Sequence, residues 1–315
     1  MRTKQGAFKL FSLAGIGVYV HWMWFLAAVY SLQTRGQVYS SFIWNVVEYL
    51  ALFAIVLMHE FGHQLACRSV GGQTHDIVLW LLGGVAFVSP PQRPGAQLWS
   101  IVAGPLVNVA LIPVFSAFIA VSWHLGWEDT HPDAYKFFHN WWTINIIVLI
   151  FNMMPVYPLD GGQILRSLLW FPFGRANSLL IASIIGFIGV GGLIILDIRT
   201  FLNAQDAGEK EWAFQLALMT AFIVMSCWHG LKQALALSRV AKLPRRDGFA
   251  CPACKSAPPQ GAFWRCGKCG QSFDPFQTLA VCPHCATQFS STQCLDCGAS
   301  RPIGEWSAAP LTNHG

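Results

Sequence analysis

The sequence predicts an α-helical polytopic membrane protein that ends in a small cysteine-rich domain. Of the 315 residues, 54% are hydrophobic and 11% are charged, whereas soluble globular proteins carry about 25% charged residues. Eight of the ten cysteines follow residue 248. This composition excludes a disordered chain, a secreted disulfide-rich miniprotein and an ordinary soluble enzyme. The net charge of +5 is typical of a membrane protein with Lys and Arg in its cytoplasmic loops.

Six apolar stretches have about the length, roughly 20 residues, that a helix needs to cross a bilayer. They cover residues 13–33, 42–66, 98–123, 137–154, 178–198 and 212–231. Three basic residues precede the first stretch, so a cleaved signal peptide is an alternative there. A shorter stretch, 77–88, contains Gly83-Gly84 and predicts a strand or re-entrant hairpin at membrane depth. An interfacial anchor loop is the alternative for that stretch.

The basic residues predict the orientation of the chain. With the N-terminus in the cytoplasm, the inner segments hold twelve Lys and Arg residues and the outer loops hold four, in agreement with the positive-inside rule. We therefore predict a multi-pass membrane protein with both termini in the cytoplasm. The predicted units are a membrane domain (1–240), a linker (241–250), a double zinc ribbon (251–305) and a disordered tail (306–315).

The second apolar stretch ends in His59-Glu60-Phe61-Gly62-His63. Residues four apart lie on one face of a helix, so His59 and His63 can bind one Zn²⁺ through their imidazoles. Glu60 lies beside them, where a general base for a zinc-bound water belongs. Ionisable residues are costly in a lipid-embedded helix and mark function by default; a polar helix cap at the headgroup level is the alternative. The pattern predicts a hydrolytic zinc site.

A catalytic zinc needs a third protein ligand. The candidate is Asp160, the only acidic residue that the predicted topology puts on the cytoplasmic side between Asp76 and Asp247. Prolines before it end the preceding helix, and Gly161 and Gly162 allow close approach of the backbone. The same residues could also form an ordinary turn.

Three motifs together resemble the site-2 protease family of intramembrane zinc metalloproteases, in its compact prokaryotic six-span branch. They are HEFGH at 59–63, AGPLVN at 103–108 and NMMPVYPLDGG at 152–162. The resemblance implies an endopeptidase that cuts peptide bonds within the transmembrane segments of membrane-protein substrates, in a prokaryotic cell membrane. It implies that the zinc ligands are His59, His63 and Asp160, with Glu60 as the catalytic acid and base.

The resemblance also implies that Asn108 and Asn152 face the site and bind the substrate; hydrogen bonding between helices is the alternative for both. The expected partners are single-pass membrane proteins within the lipid bilayer. A substrate helix must unwind before attack, and the 77–88 segment could hold the unwound peptide by strand addition. The outer loops are too short for an inserted PDZ-like domain, so the regulation found in branches with that domain is not implied.

Four Cys-x-x-Cys pairs follow the membrane domain, and two such pairs complete a tetrahedral zinc site. The cysteines therefore predict two structural zinc ions besides the catalytic one. The simplest pairing joins neighbours, with Cys251, Cys254, Cys266 and Cys269 at one zinc and Cys282, Cys285, Cys294 and Cys297 at the other. Interleaved pairing, iron in place of zinc, and disulfides are alternatives; a cytoplasmic location argues against disulfides.

The ribbon region carries little net charge. Residues 248–305 contain four basic and three acidic residues, whereas nucleic-acid modules show a basic stripe. The sequence therefore favours a protein partner or a gating role for the ribbons over a nucleic-acid partner.

Two other functions are compatible with parts of the pattern. A catalytically silent membrane adaptor could use its ribbons for protein binding, but such a protein need not retain Glu60. A zinc transporter would need ligands at several depths, whereas the candidate ligands here cluster at one level.

Overall fold

A computed structural model describes residues 6–34, 38–80, 83–91, 93–157, 159–297 and 299–306. Over these ranges the membrane domain is a helical bundle with a small mixed sheet at its side. The helices are α1 (Trp22–Thr34), α2 (Phe42–Ser69), α3 (Pro94–His124), α4 (Trp127–Thr130), α5 (Pro132–Met153), α6 (Asp160–Asn203) and α7 (Ala207–Ala241). The strands are β1 (Ala7–Leu13), β2 (Ile16–His21), β3 (Gln73–Trp80) and β4 (Gly83–Ser89).

Four helical segments within the described ranges are long and apolar enough to cross a membrane. They are Phe42–Ser69, Pro94–His124, Asn177–Asn203 and Gly208–Val240, and they match the second, third, fifth and sixth predicted stretches. The fourth stretch forms α5, which is helical over 22 residues but less apolar, because it carries polar residues such as His139, Asn140 and Asn145. The prediction of a helical membrane protein is confirmed.

The prediction of one helix over residues 13–33 is wrong. This stretch forms the end of β1, all of β2 and the 13-residue helix α1, which at 1.5 Å per residue is only about 20 Å long. A continuous apolar run does not distinguish a strand from a helix. Here Val18 and Val20 favour a strand, and β2 pairs with β3 in parallel, with Val18 opposite Ile77.

The strand β2 and the helix α1 run beside α2 one after the other. Near the C-terminal end of α2, the Arg68 side chain donates a hydrogen bond to the carbonyl of Ala14 at 2.6 Å. Towards its N-terminal end, the Tyr49 hydroxyl donates to the carbonyl of Trp24 at 2.7 Å. The first predicted stretch therefore accompanies a membrane helix along its length, first as a strand and then as a helix.

The sheet has the order β1-β2-β3-β4. Its β3 and β4 form an antiparallel hairpin over the stretch 77–88, for which a strand or re-entrant hairpin was predicted. Residues 81 and 82 lie outside the described ranges. Buried side chains of β2 and β3, including Ile16 and Ile77, pack against Val56 of α2. The hairpin therefore lies against a membrane-spanning helix, and β4 is an edge strand of the sheet.

The helix α6 consists of two segments with a kink between them. Gly174 has a φ of +72°, which favours glycine, and Pro172 removes one backbone donor just before it. The first segment, residues 160–173, begins with Asp160. The second, Asn177–Asn203, is one of the membrane-spanning segments.

The cysteine-rich region contains two short hairpins around a small aromatic core. The hairpins are β5 (Trp264–Arg265) with β6 (Ser272–Phe273), and β7 (Thr292–Gln293) with β8 (Ser300–Arg301). Trp306, which the sequence assigned to a disordered tail, is fully buried and packs edge-to-face on Phe276. The ribbon domain therefore extends at least to residue 306, and residues 307–315 lie outside the described ranges.

The ribbon is also attached to the last membrane helix within the predicted linker. Arg245 forms a bidentate ion pair with Asp296, at 2.6 and 3.0 Å, and donates to the carbonyl of Val240 in α7 at 3.1 Å. Arg246 pairs with Asp274 of the ribbon. Residues 245 and 246 therefore belong structurally to the ribbon domain rather than to a free linker.

Candidate metal centre and active site

The two histidines of the HExxH motif meet because α2 stays helical as far as Ser69. His59 and His63 are both buried, and their Nε2 atoms are 3.1 Å apart. Glycine at position 62 permits this burial, since a Cβ there would lie 2.7 Å from the carbonyl oxygen of Ala103. Backbones of α2 and α3 are therefore in direct contact at the level of the histidines.

Asp160 reaches the histidines from the first residue of α6. Its Oδ2 atom lies 2.9 Å from Nε2 of His59 and 3.2 Å from Nε2 of His63. Gly161 permits this position, because a Cβ there would lie only 2.5 Å from the carbonyl carbon of Met153 at the end of α5. The close backbone approach predicted for Gly161 is confirmed.

These three residues have the spacing of a metal site. One ligand atom from each of His59, His63 and Asp160 lies within 4.8 Å of the others. Ligand atoms around a tetrahedral zinc, with bonds of about 2.0–2.1 Å, are about 3.3 Å apart, close to the separations of 2.9–3.2 Å here. Two imidazoles and one carboxylate are also the donor set of known catalytic zinc sites, so the residues fit the metal.

Both imidazoles are oriented by acceptors behind them. Nδ1 of His59 is 2.6 Å from Oδ1 of Asn108, and Nδ1 of His63 is 2.9 Å from the carbonyl oxygen of Ser100. Amide and carbonyl oxygens only accept hydrogen bonds, so each Nδ1 carries the proton. Each Nε2 lone pair is then directed toward the position between the three ligand atoms, as in histidines that bind metal.

Asn108 is held by a second asparagine that the sequence analysis missed. Its Nδ2 donates to Oδ1 of Asn145 at 2.8 Å, and Nδ2 of Asn145 donates back to the carbonyl of Asn108 at 3.0 Å. Both residues are fully buried. A polar residue within the apolar run of α5 was the available signal for Asn145. Asn108 therefore orients His59, and the substrate contact expected for it stays a prediction.

Asn152 has a different environment from Asn108. Its Nδ2 donates to the carbonyl of Val148 in its own helix at 3.0 Å, one turn earlier in α5. This contact gives Asn152 no link to the histidines, whereas Asn108 contacts one directly.

Glu60 is buried against the strand β4 of the sheet. A Cβ on Gly84 of β4 would lie 2.6 Å from the carboxyl carbon of Glu60, so β4 can approach this carboxyl only with glycine at that position. On α2, Glu60 lies three residues before His63 and so next to it on the helix surface. The Glu60 carboxyl therefore lies between the candidate metal ligands and the edge strand β4.

Gly104 allows α3 to approach the metal centre from the other side. A Cβ there would overlap Nε2 of His63 and would lie 2.8 Å from Nε2 of His59. The AGPLVN motif therefore combines Gly104, which leaves space for the ligand atoms, with Asn108, which orients one of them. The motif is recognisable in the sequence, whereas the role of its glycine depends on the packing of α3 against the histidines.

The cysteines form two clusters, but the predicted pairing of neighbours is wrong. Cys251, Cys254, Cys294 and Cys297 form one group, and Cys266, Cys269, Cys282 and Cys285 form the other. The first pair joins the fourth because the ends of the ribbon meet, with the amide of Ala250 donating to the carbonyl of Trp306 at 2.8 Å. The second and third Cys-x-x-Cys pairs, which lie between the first and the fourth in the sequence, form the other cluster.

The sulfur separations in both clusters suit zinc. Those between different pairs are 3.5–3.7 Å, and a tetrahedral site with Zn–S bonds of about 2.3 Å requires about 3.8 Å between sulfurs. Both clusters are complete four-cysteine sets without room for a catalytic water, as structural zinc sites are.

Two double variants that each remove two cysteines test the nested pairing. Cys251→Ser with Cys297→Ser damages only the outer cluster, so we expect one ribbon zinc to remain. Cys251→Ser with Cys266→Ser damages both clusters, so we expect neither ribbon zinc to remain. Zinc per chain, measured by inductively coupled plasma mass spectrometry, distinguishes them. Pairing of neighbours would give the reverse result.

Replacement of Asn108 by Ala is expected to weaken zinc binding in the membrane domain by about 10–100-fold, the usual cost of losing a partner behind a metal-binding histidine. Competition with a zinc chelator measures the affinity. Asn152→Ala is the matched control, and its zinc affinity should stay within about twofold because its amide donates to the carbonyl of Val148 in its own helix. Equal losses in the two variants would contradict the orienting role of Asn108.

A buried His-Glu-x-x-His helix, a carboxylate from a second helix and a bundle of membrane spans define a membrane-embedded metal centre of the metallohydrolase type. Comparison with known proteins agrees: residues 128–196, which include Asp160, match the profile of peptidase family M50. This part of the chain is therefore similar to peptidase family M50, which agrees with the resemblance to the site-2 proteases predicted from the motifs.

Similar proteins include zinc metalloproteases. Zinc metalloprotease MJ0392 of Methanocaldococcus jannaschii is 30% identical over 183 residues, 56% of this chain and 50% of that protein. Stage IV sporulation protein FB of Bacillus subtilis is 31% identical over 135 residues, 41% and 43% of the two chains. The solved site-2 protease from Methanocaldococcus jannaschii is 25% identical, with a TM-score of 0.49 over 71% of this chain and 95% of that one. The chain spans about half the length of the first of these relatives.

Proposed function

We propose that this protein is an intramembrane zinc endopeptidase that cleaves the transmembrane segments of single-pass membrane proteins. The observation that carries the proposal is the convergence of His59, His63 and Asp160 within a membrane bundle, with Glu60 beside them. The peptidase family M50 domain and the zinc metalloprotease homologues support the same reaction class. The zinc ions would number three per chain, one catalytic and two in the ribbons.

The catalytic zinc would supply Lewis acidity, which polarises the scissile carbonyl and lowers the pKa of water. His59, His63 and Asp160 would hold it and leave its fourth position open. Glu60 would accept a proton from the attacking water and later return it to the leaving amine. Burial of Glu60 would keep bulk water from competing for that proton.

The edge strand β4 would hold the unwound substrate. It pairs only with β3 in the described sheet, so its other edge can bind an extended peptide by strand addition. Gly84 brings this strand against the Glu60 carboxyl. A peptide paired with β4 would thus present an exposed backbone carbonyl close to the catalytic groups, whereas an intact helix would not.

We further propose that both termini lie in the cytoplasm, where twelve of the sixteen Lys and Arg residues within positions 1–246 would lie. This orientation puts the ribbons in a compartment that keeps thiols reduced and available for zinc. A protein partner would bind the ribbons there.

A reconstituted cleavage assay tests the proposal. The full chain is incorporated into liposomes with a panel of single-pass membrane helices labelled at both ends, and the products are mapped by mass spectrometry. We expect cuts within the apolar segments that stop after zinc removal by 1,10-phenanthroline and in a His59→Ala variant. His229→Ala, which removes an exposed histidine of α7, is the control. Cuts confined to the flanking loops, or cuts that survive zinc removal, would contradict the proposal.

A further inference from the structure

Two arginines of α6 lie close to the start of a membrane span without an acidic partner. Arg166 belongs to the first segment of α6, and Arg175 follows the kink at Gly174, two residues before the span Asn177–Asn203. Nε of Arg166 and both Nε and Nη1 of Arg175 are buried and have no hydrogen-bond acceptor among the described residues. Buried donors on a charged group are expensive to leave unpaired.

The positive charges of the two arginines are close enough to interact. Burial lowers the pKa of Arg166, a nearby Tyr157 opposes this change, and the charge of Arg175 lowers the pKa further. The ion pairs of the described residues include neither arginine. Arg175 lies over the ring of Trp170 at 5.8 Å, which stabilises one face of its guanidinium but provides no hydrogen-bond acceptor. Two neighbouring guanidinium groups with unpaired donors are suited to bind an anion that has several oxygen atoms.

The surroundings of these arginines are those of a membrane interface. Leu168 and Phe171, on the same segment, are 50% and 60% exposed, and large exposed apolar side chains beside a membrane span are suited to contact with lipid. Trp170 is of the residue type that is enriched at the level of the headgroups. An anion available at this level is the phosphate of a phospholipid.

We propose that Arg166 and Arg175 bind the phosphate of an anionic phospholipid. The planar guanidinium matches phosphate geometry with parallel N–H donors, and the buried Nε and Nη1 atoms are the unpaired donors available here. Inorganic phosphate offers the same chemistry from another source. The site lies on the segment that begins with Asp160, so the bound lipid would hold one end of this segment while Asp160 lies at the other. Lipid binding itself does not depend on the proposed catalysis.

Native mass spectrometry of the full chain in detergent tests the proposal, with titrations of short-chain phosphatidylglycerol, short-chain phosphatidylcholine and inorganic phosphate. We expect wild type to bind phosphatidylglycerol more tightly than phosphatidylcholine. Arg166→Gln with Arg175→Gln should weaken phosphatidylglycerol binding at least about tenfold, since hydrogen bonds to charged groups are lost. Lys232→Gln with Arg239→Gln, which removes two exposed charges of α7, is the matched control and should change binding less than about twofold, as exposed charges contribute little.

Three results would overturn the proposal or part of it. Binding by the arginine double variant within about twofold of wild type would exclude the site, because each lost guanidinium contact should exceed that factor. An equal loss of phosphatidylglycerol binding in the control variant would show that positive charge in general, and not this site, attracts the lipid. If an equal concentration of inorganic phosphate displaced phosphatidylglycerol, the site would be a site for free phosphate, and the proposal of a lipid ligand would be wrong. The variant Arg166→Lys with Arg175→Lys retains both charges, so it should bind phosphatidylglycerol with an affinity between those of wild type and the Gln double variant. Such binding would show that the loss in the Gln variant does not come from misfolding.

Discussion

Replacement of Glu60 by Gln is expected to slow cleavage of a membrane substrate by about 10²–10⁴-fold, the contribution typical of a general acid and base. Gln has nearly the same shape but cannot accept the proton of the attacking water. The change corresponds to about 3–5 kcal/mol in activation free energy. The measurement is kcat/KM in liposomes, with zinc per chain determined on the same samples.

Glu48→Gln is the matched control for Glu60→Gln. Glu48 is a second buried carboxylate on α2, hydrogen-bonded to Tyr39 and Asn140 at the other end of the helix. Gln at position 48 can still accept a bond from Asn140, so we expect cleavage close to that of wild type. Normal cleavage by Glu60→Gln would show that the chemistry assigned to Glu60 is wrong.

Zinc counts distinguish loss of the base from loss of the metal. Wild type and Glu60→Gln should both contain about three zinc ions per chain, while His59→Ala with Asp160→Asn should contain about two, since ribbon sites persist. Two zinc ions in all three proteins would mean that the membrane domain binds none. A silent adaptor that uses only its ribbons would then be the better description.

Replacement of Gly104 by Ala is expected to weaken zinc binding in the membrane domain and to slow cleavage, each by at least about 100-fold. The reason is that a displacement of about 1 Å at a catalytic site can lower the rate by about this factor. The added methyl group would lie 2.3 Å from His63 Nε2 and 2.8 Å from His59 Nε2, closer than atoms can pack. Relief of the clash requires α3 to move away from α2, but Gly62 and Ala103 hold these helices in contact. Overpacking of this kind costs about 1–3 kcal/mol in stability.

Gly95→Ala is the control for Gly104→Ala. Gly95 lies in the first turn of the same helix, and apart from its neighbours in the chain and its own helix backbone, no described residue would have an atom within 4 Å of a Cβ there. Zinc content and cleavage should match wild type, and thermal stability should stay the same or rise, because Ala is the better helix former. Full zinc occupancy in Gly104→Ala would show that the helices can separate without disturbing the ligands.

The chemistry of the site could be predicted from the sequence because it depends on local rules. Histidines four residues apart converge wherever the chain is helical, and that spacing is visible in His59 and His63. Asp160 could be selected because it is the only acidic residue that the predicted topology puts on the cytoplasmic side between Asp76 and Asp247. The glycines of its motif could be interpreted as positions of close approach, since no other residue permits such contact.

The remainder depends on contacts between distant parts of the chain. Gly104 and Gly84 are indistinguishable by sequence from packing glycines until His63 and Glu60 lie against them. Asn145 could not be linked to Asn108 without knowing that α3 and α5 are neighbours. The strand β2 resembles a membrane helix in composition and is a strand because β3 lies beside it.

The nested order of the ribbon clusters implies an order of assembly. Cys269 and Cys282 of the inner cluster are 13 residues apart, whereas Cys254 and Cys294 of the outer cluster are 40 apart. Closing the longer loop in an unfolded chain costs about 1 kcal/mol more entropy, but the inner zinc, once bound, already shortens that loop. We therefore expect the inner site to bind zinc first and to lose it last. The outer site, next to the ion pair of Arg245 and Asp296, would then be the part of the ribbon that loses zinc first.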